Sequence, residues 1–100
     1  MKATRLFHDK TSLPDGSIVE MSIWRLPATD PGRPHGLKYS LCYGRPGERF
    51  VGYDNERGKG DHKHVAGREM RYHFVSVEQL VADFLTDVER VRARQLQRKG

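Results

Sequence analysis

The sequence predicts an α+β domain: an antiparallel sheet of four to five strands, with one long C-terminal amphipathic helix packed on one face. Three observations carry that expectation. Apolar and polar residues alternate over 17–26, 37–43 and 68–75, with turn-forming residues between the runs. A helical stripe then closes the chain, made of Val77, Leu80, Val81, Phe84, Val88 and Val91. Finally, a length of 100 residues admits a single core.

The elements follow in order. Residues 4–8 form a short strand candidate, and Pro14-Asp15-Gly16 supplies turn chemistry. Val19, Met21 and Ile23 then face one way, with Glu20 and Ser22 facing the other. Residues 27–36 hold three of the five prolines and are expected to be an exposed connection. Leu37, Tyr39, Leu41 and Tyr43 share one face, residues 44–47 turn, and 48–53 return. The glycine- and charge-rich stretch 54–64 is expected to be irregular in at least its first half, before the strand at 68–75. Ser76 and Gln79 form a capping box, and Val75 is placed to staple onto Leu80. Beyond Val91 the stripe fades. The chain therefore divides into one domain over 1–90 and a basic tail over 91–100, either the helix end or a frayed segment.

Charge is unevenly spread. The net charge is +5, and Arg90, Arg92, Arg94, Arg98 and Lys99 stand in the last eleven residues with no acidic partner. The other 13 basic residues are matched by 13 acidic ones, so the tail holds the excess. Such a tail attracts polyanions of any sequence, which makes RNA or another nucleic acid a natural partner; equally, cations suit a helix C-terminus. No apolar run approaches the ~20 residues that cross a bilayer, and the first residues lack a signal-peptide core. Cys42 is the single cysteine. The expectation is a cytoplasmic protein that does not engage membranes.

The segment Asp54-Asn55-Glu56-Arg57-Gly58-Lys59-Gly60-Asp61-His62-Lys63-His64 concentrates reactive side chains. In an extended segment His62 and His64 point to one face, with Asp61 and Lys63 on the other. Two imidazoles on one face suit phosphodiester cleavage without a metal: one takes the 2′-hydroxyl proton and the other protonates the leaving oxygen. Lys59 and Arg57 would stabilise charge on phosphorus, and Asp54 or Asp61 would orient a ring. Arg57, Lys63, Arg90, Arg92 and Arg94 are the candidate nucleic-acid contacts. No metal or other cofactor is assigned. Competing readings are a metal held by His62, His64 and a third ligand (Asp54, Asp61 or another histidine), Mg²⁺ between Asp54 and Asp61, or a solvated loop with no ligand. His8, His35 and His73 are expected to be structural or exposed, and Cys42 a small buried residue.

Four stretches, Gly16–Arg25, Pro34–Tyr39, Gly52–His64 and Phe74–Phe84, resemble the TumE-like proteins of bacterial toxin–antitoxin loci. The resemblance covers most of residues 1–90, with the Tyr-Asp-Asn through His-x-His segment its most specific part. It implies a small bacterial toxin paired with an antitoxin encoded nearby, and it brings no catalytic assignment. The functional expectation is a toxin-like component acting as a metal-independent ribonuclease. The alternative is a non-enzymatic module binding nucleic acid or protein, or one that dimerises through the apolar stripe of its last helix.

Overall fold

The computed structural model describes residues 2–56 and 58–99. Six strands, β1 (Thr4–Ser12), β2 (Ile18–Arg25), β3 (Leu37–Arg45), β4 (Glu48–Asp54), β5 (His62–Val65) and β6 (Arg68–Arg71), precede one helix, α1 (Val77–Lys99). Each strand pairs antiparallel with the next in chain order, so the sheet is a simple meander.

The α+β architecture is as expected, but the sheet has six strands rather than four to five. The additional strand is β5. Its sequence, His-Lys-His-Val, has no apolar alternation to announce it. The turn that makes it is Ala66-Gly67, where both residues take positive φ (50° and 83°), the hand that matches strand twist. Alanine is an uncommon residue there, so the dipeptide carried little signal. β6 also stops at Arg71 rather than at 75. Tyr72 and Phe74 leave the ladder and turn inward, where Phe74 lies 4.2 Å from the His35 ring.

The core is the layer between sheet and helix. Val19, Met21, Ile23, Tyr39, Leu41, Tyr43, Val51 and Tyr53 meet Leu80, Phe84, Val88 and Val91. The helical stripe is thus packed against the sheet, with Leu85 left exposed on the helix. Half of the capping box forms: the Gln79 amide donates to Ser76 Oγ at 3.1 Å, while the Gln79 side chain turns forward to Asp83. The staple does not form, since Val75 is 64% exposed. Helix continues past Val91, with Leu96 pointing outward.

A bulge in β4 sets up the opposite face. Tyr43 pairs with Val51 but Gly44 with Arg49, so Phe50 is an extra residue. Phe50 packs its ring 5.5 Å from Tyr43. Gly44 makes the bulge possible, because a Cβ there would collide with the Glu48 carbonyl oxygen. Gly44→Ala is expected to cost about 2–3 kcal/mol, as overpacking against backbone does. Thermal melts followed by circular dichroism check this, and an unchanged midpoint would show that the bulge tolerates a side chain.

Candidate functional site

Register decides which side chains meet. His62 stands opposite Asp54 and His64 opposite Gly52. β6 then places Glu69 opposite His64. Alternation across the pleat sends Tyr53 and Lys63 toward the helix. Asp54, His62, His64 and Glu69 therefore share the helix-free face.

His62 is 6% exposed and held from both sides. Its Nε2 lies 2.8 Å from Asp54 Oδ1, and its Nδ1 lies 3.0 Å from the Gly60 carbonyl oxygen. Both partners are acceptors, so both bonds form only when each ring nitrogen carries a hydrogen. The His64 ring is 5.8 Å away, centroid to centroid. Glu69 Oε1 lies 3.9 Å from His62 Nε2 and 3.7 Å from His64 Nε2. The two imidazole edges thus converge on one point of the open face. Glu69 is half-exposed there and free to swing.

Arg49 borders this point. The bulge turns it onto the open face, where it runs over Gly52 and brings Nη1 to 3.9 Å from Asp54 Oδ2. A Cβ on Gly52 would lie 2.8 Å from Arg49 Cδ, so glycine makes room for the guanidinium stem. Beyond Arg49 the face continues into a hollow of about 500 Å³ lined by Lys10, Glu20, Cys42 and Arg45. Burial pushes the Cys42 thiol up, which keeps it protonated and a poor nucleophile.

The other sequence candidates fall elsewhere. Lys63 is on the helix side, 3.1 Å from Asp87 Oδ2 and 3.3 Å from the Tyr53 hydroxyl. Its charge is committed to the interior. Lys59 is exposed in the 55–61 loop and, with Pro31, Pro34, Asp61 and Arg71, lines a cleft of about 400 Å³. Arg92 is drawn to Asp15 at 3.6 Å, Arg90 is 3.9 Å from Asp87, and Arg94 is exposed. All three sit on α1, across the sheet from the imidazoles. Arg57 lies outside the described residues.

The model of the family described as Toxin TumE matches residues 3–92. The chain belongs to the TumE toxin family. No curated protein and no solved structure matches it. The TumE match takes in the whole open-face site and α1 through Arg92, and leaves Arg94 outside. Membership of a toxin family implies an antitoxin counterpart in general. No helix among the described residues is long and apolar enough to cross a membrane.

Two features of this TumE chain escaped the sequence. Glu69 and Arg49 sit in strands whose charged residues look like ordinary solvent-facing positions, and only pairing brings them to the histidines. The second feature is a set of buried or half-buried tyrosine–carboxylate pairs. Tyr39 donates to Asp61 at 2.6 Å, Tyr72 to Asp83 at 2.6 Å, and Tyr53 to Asp87. His35 joins the first pair: the Leu37 amide donates to its Nδ1, which leaves Nε2 to donate to Asp61 at 3.1 Å. Burial raises all three phenols well above their ordinary value, and the facing carboxylates raise them further. A legible signal existed for two of them. Asp83 and Asp87 are four apart and adjoin Phe84 and Val88 of the apolar stripe, which places both carboxylates beside the core.

Proposed function

We propose that this chain is the toxin of a toxin–antitoxin pair and that it acts by cleaving RNA on the open face of its sheet. The observation that carries the reading is the convergence of His62 and His64, rings 5.8 Å apart, on a single point now taken by the Glu69 carboxylate. A phosphodiester would take that point by displacing the exposed Glu69 carboxylate. His64, the more accessible ring, takes the proton from the 2′-hydroxyl as the 2′-oxygen attacks phosphorus. His62, its Nε2–H turning from Asp54 to the incoming substrate, gives that proton to the departing 5′-oxygen. The P–O5′ bond breaks, and the products are a 2′,3′-cyclic phosphate and a free 5′-hydroxyl.

Supporting roles follow from position. Asp54 and the Gly60 carbonyl hold His62 in one orientation. Arg49 faces the developing charge on phosphorus from the same side of the sheet. Lys59 belongs to the loop that leads into β5 and contacts flanking phosphates. Arg90, Arg92 and Arg94 lie on the far side, where they serve RNA capture at most, by long-range attraction.

The test uses His64→Ala, because His64 is half-buried and its removal leaves the Asp54 and Gly60 contacts of His62 intact. The variant is expected to lose about 100-fold in cleavage of single-stranded RNA, the usual weight of one general acid–base group. It should also stop inhibiting growth, with a melting temperature close to that of the parent. A variant that inhibits growth as well as the parent would overturn the enzymatic reading in favour of inhibition by occupancy alone.

A further inference from the structure

We infer that His62, His64 and Glu69 form a binding site for a divalent ion of the zinc class. Their ligand atoms, one from each residue, all lie within 4.8 Å of one another, the one such His/Cys/Asp/Glu group found among the described residues. The separations fit. Around a tetrahedral zinc with bonds near 2.0–2.1 Å, ligand atoms stand about 3.4 Å apart. Glu69 Oε1 is 3.9 and 3.7 Å from the two Nε2 atoms, so an inward movement of this half-exposed side chain, with adjustment of the two rings, brings the three ligand atoms to that spacing. Two imidazoles and a carboxylate are borderline donors that suit zinc better than magnesium or calcium.

The contacts of His62 add an orienting group to those distances. The Gly60 carbonyl accepts from Nδ1, the arrangement that fixes a ligating histidine with its Nε2 lone pair free. With the proton on Nδ1, that lone pair faces Asp54 Oδ1 at 2.8 Å, and Glu69 Oε1 and His64 Nε2 lie just beyond. Asp54 is then at hand as a fourth ligand. The backbone supports this geometry, since His64 and Glu69 are direct cross-strand partners, each one pair out from the Val65–Arg68 pair that closes the Ala66-Gly67 turn.

The site coincides with the point where the scissile phosphate would sit. On the reading proposed above, and resting on it, an occupied site cannot cleave RNA, because both Nε2 lone pairs are bound to the metal. Zinc would therefore inhibit.

Untagged, metal-free chain should be titrated with ZnCl₂ by calorimetry and with CoCl₂ by visible absorption. One ion per chain is expected, with the intense visible bands of four-coordinate cobalt. Glu69→Gln and His64→Gln should each weaken binding by about 100-fold, at least the loss that even supporting groups of a metal site cause. His8→Ala, which removes an exposed His–Glu pair on β1, should leave binding unchanged. Absence of stoichiometric binding, or binding insensitive to both site variants, would overturn the metal site. RNA cleavage measured in EDTA separates the two proposals. Cleavage without metal binding removes only the ion, and metal binding without cleavage removes only the ribonuclease.

Discussion

Phe84→Ala is expected to lower the melting temperature by about 20 °C, the largest effect of any single truncation in this chain. Phe84 is fully buried and meets Tyr53 edge-on at 5.7 Å between centroids. It stands mid-helix, at the point where α1 crosses β4. Truncating a buried phenylalanine costs about 3–5 kcal/mol, through lost transfer energy and the cavity left behind. In a domain of this size each kcal/mol moves the midpoint by about 4–8 °C. The cavity has little scope to collapse, because its walls are strands locked in a ladder. Leu96→Ala provides the comparison within the same helix: Leu96 is 70% exposed and its loss should be nearly silent. Paired thermal melts decide the matter. Similar midpoints for the two variants would mean that α1 is not clamped to the sheet at Phe84.

A steep alkaline unfolding is the second large effect. Tyr39 and Tyr53 are 1% and 0% exposed, and burial with their carboxylate partners raises both phenols far above the ordinary value. Below pH 10 the phenols are protonated in the folded and unfolded chain alike, so stability is fully present. Above pH 10 the unfolded chain releases these protons while the folded chain retains them, so stability falls as pH rises. Each such tyrosine removes about 1.4 kcal/mol per pH unit, and two remove nearly 3. Against the lower end of the roughly 5–15 kcal/mol usual for a domain, the fold should give way at about pH 12. Tyrosinate absorbance at 295 nm and far-ultraviolet circular dichroism, followed together, should change in one transition for these residues. Ionisation of all four tyrosines near pH 10 with the dichroism intact would show that the phenol–carboxylate pairs are open to solvent.

Both predictions rest on residues whose burial was readable in advance to different degrees. Phe84 belongs to a stripe at helical spacing, and Tyr39 and Tyr53 fall on the apolar parity of their strands, so their place in a core was legible. Their partners were not. Asp61 carries no mark that distinguishes an inward carboxylate from a solvated one, and for Asp83 and Asp87 the only mark is their place beside the apolar stripe. Lys63 illustrates the same point, since a lysine between two histidines reads as a nucleic-acid contact, yet its strand parity aims it at Asp87.

The candidate site divides in the same way. Strict alternation along an extended segment put His62 and His64 on one face, whatever the segment paired with. Their company depended on register: Asp54 from β4, Glu69 from β6, and Arg49 turned over by a one-residue bulge. A slip of one position would have exchanged every one of these groups for its neighbour on the other face.

By itself, then, the sequence determined the α+β class, the order of its elements, the helical stripe and the common face of the two histidines. These follow from local periodicities of 2 and 3.6 residues, which the backbone imposes regardless of partners. The tertiary structure alone decided the sixth strand, the separation of the helix arginines from the imidazoles, and the meeting of His62, His64, Asp54 and Glu69. Those depend on hairpin register and on which sheet face the helix covers, and both are settled by packing rather than by any single stretch of chain.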